Sequence, residues 1–459
     1  MAQQPTMTLG QKIPLSIKKL GINGEGIGYY KRNVVFVKGA LPGEEIYAEL
    51  IKVNRNFAEA KIVKIHKKSK VRQIPPCQIY DECGGCQLQH MTYSYQLTAK
   101  RDVIVQALHK YVRSEAKHIP IRPTIGMENP WHYRNKSQFQ VRKPSKHVLA
   151  GLYSENSHKL LDIDECLVQF PITTKITNAT KKIIDDLNIP IYNDHSMKGI
   201  IRTIVVRAGI RTGEVQLVLI TTRKDFPKKE LLIEKLKQIN PAIVSIVQNI
   251  NEDKTSLIFG NRSIILAGKE TIHEELGELA FDLSARAFFQ LNPQQTVHLY
   301  NQIKKAAALT GKETIVDAYC GVGTIGLWLA KDAKEVRGMD IIPESIHDAK
   351  ENAKKYGFKH TTYVTGTAEK WLDIWQKEGF IPDVLTVDPP RTGLAPSLIK
   401  TILKVKPKKV VYTSCNPSTL AKDLQLLTSN YHVDYIQPID MFPQTAHVEC
   451  VVLMSRVDK

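Results

Sequence analysis

The chain has 459 residues, 42% hydrophobic and 24% charged, which is too long for one ordinary domain and too apolar for a disordered or fibrous protein. Lys and Arg number 64 against 46 Asp and Glu, and the net charge of +18 favours a polyanionic partner, RNA or DNA, over an acidic or neutral one. No apolar stretch follows Met1-Ala2-Gln3-Gln4-Pro5 and no run is long enough to span a bilayer, so the expectation is a cytoplasmic monomer with no membrane contact, whose seven cysteines are mostly reduced.

Residues 1–68 read as a first domain. Val34–Val37, Glu45–Leu50 and Ala58–Val63 are short strand patterns, separated by the turn sequences Gly21-Ile22-Asn23-Gly24-Glu25-Gly26 and Leu41-Pro42-Gly43. Several short strands in so short a stretch predict a small OB-like β-barrel. Lys31, Arg32, Lys52, Arg55, Lys61, Lys64, Lys67, Lys68 and Lys70 make it basic. A solvated charged face would have the same composition; an RNA-binding appendage is the better reading for a small basic barrel beside an enzyme.

Residues 69–280 form a second, mixed α+β region. It opens after Pro75-Pro76 with Cys77, Cys83 and Cys86 in a C-x5-C-x2-C pattern, and Gly84-Gly85 lies inside it. Cys166 is the next cysteine along the chain. Four thiols in a reducing compartment fit an iron–sulfur cluster or a tetrahedral metal, and the spacing does not separate the two. Residues 93–117 look helical and are free to pack on the carboxyl-terminal region. Beyond about 125 the pattern turns strand-rich, for example Lys136–Arg142 and Val215–Ile220, with added charge from Arg134, Lys136, Arg142, Lys143, Arg202 and Arg207.

Residues 281–459 alternate strand and helix patterns: Thr314–Asp317, a helix from Gly323, Glu335–Asp340, then a helix through Ala349 and Asn352. That alternation predicts a doubly wound, Rossmann-like α/β domain. Asp317-Ala318-Tyr319-Cys320-Gly321-Val322-Gly323-Thr324-Ile325-Gly326 places a G-x-G-x-x-G loop between strand and helix, and Asp340 ends the second strand. Such a loop admits a nucleotide-like ligand and such a carboxylate binds ribose hydroxyls. The motif alone leaves NAD and S-adenosylmethionine both open.

Two further segments carry reactive groups at strand ends. Asp388-Pro389-Pro390-Arg391 follows the apolar run Val384–Val387, and Ser414-Cys415-Asn416-Pro417 follows Val410-Val411-Tyr412. A thiol and a carboxylate at the carboxyl edge of a parallel sheet describe an active site. Cys320 and Cys450 read instead as small buried residues.

With these motifs in place, the region from Ser284 onward resembles the RNA uracil-5-methyltransferases that use S-adenosylmethionine; D-P-P-R at 388–391 and S-C-N-P at 414–417 carry the likeness. The amino-terminal barrel resembles a TRAM domain, and C-x5-C-x2-C with Cys166 resembles the 4Fe–4S site of the 23S rRNA members. The resemblance implies methylation of uracil C5 in one or two uridines of 23S rRNA. It implies Cys415 as the nucleophile toward C6 and Glu449 as the base that removes the C5 proton. It implies cofactor contacts from Gln290, Tyr319, Asp340 and Asp388, with Gly321, Gly323 and Thr324 in the loop. It also implies a flipped or single-stranded uridine, near which Phe288 or Phe289 would stack. Tyr319 stands where phenylalanine is usual, and Asp340 where glutamate is usual, which shortens the carboxylate's reach. The alternatives are the same chemistry on a tRNA T-loop, a nicotinamide oxidoreductase with an RNA-binding appendage, and a non-catalytic RNA-binding assembly factor.

Overall fold

A computed structural model describes residues 7–155, 157–255 and 257–457. These fall within two compact units, one of residues 1–80, 85–128 and 372–459, the other of 81–84 and 129–371.

In the first unit, the strands Lys12–Leu20, Gly26–Tyr30, Asn33–Val37, Glu45–Val53 and Phe57–Lys67 close into a barrel. Side-chain alternation turns Ile13, Leu15 and Ile17 inward to join Val35, Val37, Ile46, Ala48 and Leu50 in the barrel core. Parallel pairing of Asn33–Val37 with Phe57–Lys67 completes the closure. Pro14 and the glycines at 26 and 28 mask the first two strands in the sequence, because both residue types weaken a strand pattern. Tyr30 pairs with Asn33 across a two-residue turn, and Lys31 and Arg32 both sit at positive φ, 48° and 68°. This turn ordinarily takes Asn-Gly; here it holds two exposed cations at the tip of a hairpin.

Arg72 clips the outgoing chain back onto the barrel, donating from Nε to Glu44 Oε1 at 2.5 Å and from Nη2 to the Gly39 carbonyl at 2.6 Å. Leu20 and Leu41 pack with Leu88, Met91 and Ala99, which seats the barrel against the helix Tyr93–Tyr111. That helix continues as a 3-10 turn at Arg113–His118 and packs on the helix Pro417–Leu427. The strands Val384–Val387 and Lys409–Ser414 run parallel; Glu449–Arg456 and then Tyr431–Ile439 add antiparallel. Residues 121–125 extend this edge, Ile121 bridging to Ile436 and Ile125 to Ile439.

The second unit is built on a seven-stranded sheet in the order Arg262–Gly268, Ile243–Ile250, Val215–Thr221, Ile201–Ala208, Lys136–Arg142, Leu149–Tyr153 and Leu160–Asp162. Ile201–Ala208 and Val215–Thr221 are buried at every position, so both faces of the sheet are covered. The helix Pro171–Asp186 packs on the strands Ile201–Ala208 and Lys136–Arg142. Burial changes the reading of three basic residues. Arg202 donates to the Asn251 and Asp253 carbonyls at 2.8 Å, and Arg207 to Ser284 O at 3.2 Å and Ala287 O at 2.6 Å. Burial, with Arg207 and Arg134 nearby, pushes the Lys136 ammonium down to about 7. The two arginines organise backbone instead of presenting charge to a partner.

The same unit carries the helix Pro293–Ala307 and three parallel strands in the order Thr361–Thr365, Glu335–Asp340, Thr314–Ala318. The helices Thr324–Ala330 and Pro343–Lys355 connect them, as the alternating pattern predicts. Among the described residues no helix is long and apolar enough to cross a membrane.

Candidate active site

Three reactive groups share one edge of the sheet in the first unit. Asp388 is the first residue beyond Val384–Val387, and Cys415 the first beyond the parallel strand Lys409–Ser414. Glu449 opens the antiparallel strand Glu449–Arg456, whose register pairs Cys450 with Ser414. One step further along this register brings Glu449 opposite Cys415. The thiol is half-buried and Glu449 only 6% exposed.

The two loops are stitched together by Asn416. Its Nδ2 donates to the Arg391 carbonyl at 3.0 Å, and its Oδ1 accepts from Ser418 N–H at 3.0 Å as the cap of the helix Pro417–Leu427. Thr419 Oγ1 donates to the same Arg391 carbonyl at 3.2 Å. Asp423 Oδ2 accepts from Leu394 N–H at 2.9 Å and from the Tyr412 hydroxyl at 2.8 Å. Gly393 is required here: its φ is +80°, and a Cβ would stand 2.6 Å from Asp423 Oδ2. The Arg391 guanidinium lies against the His447 ring, Nη2 to Nε2 3.2 Å. Sequence reading passes over Asn416, Thr419 and Asp423; Asn before Pro at a helix start was the available signal.

The electrostatics of this edge are set by burial. Burial first, and the Asp388 charge second, push the Glu449 carboxyl up to about 8, against the pull of Arg391. Burial, Glu449 and Asp388 push the Cys415 thiol up to about 11, and Arg391 opposes them. Both groups therefore rest protonated at neutral pH, and a proton leaving either is favoured by positive charge brought to the site. Cys450 is 1% exposed and Cys320 4% exposed, both packed as small buried side chains.

The glycine loop lies in the second unit. Gly321 N–H donates to Asp340 Oδ2 at 3.0 Å, and Ile342 N–H to Asp340 Oδ1 at 3.0 Å, so backbone amides fix both carboxylate oxygens and leave further lone pairs. Asp317 Oδ2 accepts from Gly326 N–H at 2.8 Å, and Tyr300 donates to Thr324 Oγ1 at 2.9 Å. A Cβ on Gly321 would meet nothing within 4 Å, so that side of the loop is open. Tyr319 holds φ at 64°, a conformation that L residues adopt at functional sites when their surroundings impose it. Gln290 is 9% exposed, and its carbonyl accepts from Asn135 Nδ2 at 3.1 Å. The two adjacent phenylalanines part company: Phe289 packs on Phe281 with ring centroids 5.7 Å apart, whereas Phe288 is 70% exposed.

The four expected cluster cysteines are all half-buried. Cys77 and Cys86 belong to the first unit, Cys83 and Cys166 to the second. Among the described residues no group of three or more His, Cys, Asp or Glu side chains is gathered as a metal site. Four reduced thiols nonetheless have the donor chemistry of a thiolate-held centre. Gly84 lies inside the cysteine motif without a positive φ, and a Cβ there would meet Glu155 at an ordinary 3.6 Å.

Residues 7–63 match the TRAM domain. A solved structure from Pyrococcus abyssi, a tRNA (uracil-54, C5)-methyltransferase in complex with S-adenosyl-L-homocysteine, is similar over 96% of this chain and 100% of its own, at 27% identity and a TM-score of 0.75. The barrel, the α/β fold and these matches define an S-adenosylmethionine-dependent RNA methyltransferase. Uncharacterised RNA methyltransferases of Bacillus anthracis (59% identical; 98% of this chain, 98% of the relative) and Halalkalibacterium halodurans (56%; 99% and 98%) are similar over nearly their whole lengths. Residues 92–457 match the family described as tRNA (Uracil-5-)-methyltransferase, and the chain belongs to it.

Proposed function

We propose that the enzyme methylates C5 of one or two uridines in 23S rRNA through a transient bond between Cys415 Sγ and uracil C6. The observation that carries this reading is the placement of a half-buried thiol at a strand end with a buried carboxyl, Glu449, next along the register. Uracil C5 is a weak nucleophile. The Cys415 thiol gives up its proton to solvent and its sulfur adds at C6; the C5–C6 π pair shifts toward the carbonyl and makes C5 enolate-like. S-adenosylmethionine, when bound, supplies an electrophilic methyl on a positively charged sulfur. Gln290, Tyr319, Asp340, Asp388, Gly321, Gly323 and Thr324 are the proposed contacts that hold and orient it. In the methylated adduct, Glu449 in its ionised form takes the C5 proton, the C–H electron pair becomes the C5–C6 double bond, the C6–Sγ bond breaks and the thiolate leaves. Asn416 and Thr419 keep the Cys415 turn and the Arg391 loop in fixed relation while this occurs. Asp388 is thus assigned to cofactor and substrate, Glu449 to the proton.

The barrel domain 1–68 and the central region 69–280 are proposed to grip RNA flanking the target, and residues 281–459 to carry the chemistry. Exposed Tyr29 and Tyr47 beside the barrel cations supply stacking faces for unpaired bases. Cys77, Cys83, Cys86 and Cys166 are proposed to hold a 4Fe–4S cluster, with no part in methyl transfer; iron and sulfide analysis of anaerobically purified protein tests it, and zinc in place of iron would refute it.

The cysteine pattern favours rRNA. A second reading, a uridine of the tRNA T-loop, is favoured by the similarity to the Pyrococcus abyssi enzyme. Transfer of labelled methyl to unmodified 23S rRNA and to tRNA transcripts, followed by nucleoside analysis, separates them. 5-Methyluridine in 23S rRNA is the expected product; methylation of tRNA alone would overturn the rRNA assignment.

A further inference from the structure

Residues 440–448 link the strand Tyr431–Ile439 to Glu449 and carry His447 on the way. The loop is fastened at two places. At its start Asp440, fully buried, pairs with Lys100, which also donates to the Phe442 carbonyl at 3.0 Å. At its centre stands Gln444, 1% exposed and held at a φ of 70°. A left-handed conformation at a residue with a Cβ is strained and persists only where surrounding bonds impose it.

Those bonds come from Gln96, on the helix Tyr93–Tyr111, and from the segment after Cys86. Gln96 Nε2 donates to Gln444 Oε1 at 2.9 Å, and Gln444 N–H donates to Gln96 Oε1 at 3.1 Å. The same Nε2 also donates to the Leu88 and Met91 carbonyls, at 3.1 and 3.2 Å. The Gln444 carbonyl accepts from the Gln87 and Leu88 amides at 3.0 and 2.9 Å. Gln87 Oε1 accepts from Ala446 N–H at 3.3 Å. The barrel turn abuts the same place, since a Cβ on Gly24 would lie 2.9 Å from Leu88 and 3.4 Å from Ala446. Gln96 is 0% exposed, and its amide nitrogen bonds to Gln444, Leu88 and Met91.

We propose that Gln96 is a positioning residue: its amide pair with Gln444 sets the loop that delivers Glu449, and it ties that loop to the backbone just beyond Cys86. A loop anchored for stability alone would fail in all steps together. A device that aims the base matters at one step, removal of the C5 proton with release of Cys415. This inference rests on the function proposed above.

The test uses the full chain, labelled S-adenosylmethionine and a methyl-accepting RNA under single turnover, with denaturing quenches that count both methylated RNA and covalent protein–RNA. Glu449→Gln is the reference for blocked release, and its adduct should persist. Gln96→Met should form methylated adduct within about threefold of the wild-type rate, yet release it roughly 10- to 100-fold more slowly, the penalty of a base misplaced by about 1 Å. Gln96→Glu, which keeps the acceptor for Gln444 N–H, should fall between them, and it decides the matter should Gln96→Met not fold. Release at the wild-type rate in these variants overturns the inference, as does equal slowing of methylation and release. Absence of any persistent adduct in Glu449→Gln overturns the assignment of the base itself, which is a different failure.

Discussion

Replacing Glu449 by Gln should stabilise the fold at alkaline pH while it stops turnover. The carboxyl is buried, with Asp388 raising its affinity for a proton and Arg391 opposing, and it is pushed up from 4.5 to about 8. Cys415 and Cys450 also face it, and both thiols remain neutral across that range. Between 4.5 and about 8 the folded protein therefore holds a proton that the unfolded chain has released. Wild-type stability falls as pH rises across that window, by at most roughly 5 kcal/mol and in practice by a few, after relaxation around the charge. Glutamine keeps the shape and does not titrate. Thermal melts of both proteins at pH 5 and pH 8.5 read the difference: the glutamine variant should gain on the wild type by a few degrees at the higher pH. A gap that is the same at both pH values, or a wild type that gains with pH, would refute the claim that Glu449 is buried with a raised affinity for its proton.

The same groups make further predictions. Because burial first, and then Glu449 and Asp388, hold the thiol neutral, Glu449→Gln should make Cys415 alkylate faster with iodoacetamide at pH 9; unchanged kinetics would count against the proximity of Glu449. The kcat/KM profile should rise through about pH 8 as Glu449 ionises, and flatten there if another group is the base. Asn416→Ala removes a helix cap and the strut to Arg391, so it should cost about 1–2 kcal/mol in a melt and lower kcat more than it raises KM. Changing Lys31-Arg32 to Asn-Gly should relax the hairpin by about 1 kcal/mol while lowering the salt slope of RNA binding by about one for each cation; an unchanged slope would remove the hairpin tip from the RNA surface.

What the sequence showed and what it hid follow from the range of the interactions. Asp388 and Cys415 were legible because each directly follows an apolar run that becomes a strand, and the strand Glu335–Asp340 has the bounds its pattern predicts. Glu449 was reached through resemblance alone, because its place depends on the register of Glu449–Arg456 against Lys409–Ser414, which no local pattern encodes. The pairing of Gln96 with Gln444 spans 348 positions and was equally invisible. Arg202 and Arg207 looked like charge offered to RNA; only the doubly covered sheet shows that they serve buried carbonyls.

The most direct test of Cys415 as the nucleophile uses RNA in which 5-fluorouridine replaces uridine. Fluorine at C5 cannot leave as a proton, so an enzyme that attacks C6 and transfers its methyl is trapped on the RNA. Digestion and mass spectrometry of the trapped complex should find the nucleotide on the peptide that contains Cys415, and Cys415→Ala should form no complex. A complex mapped to another cysteine, or methylation of normal RNA by Cys415→Ala, would contradict the account.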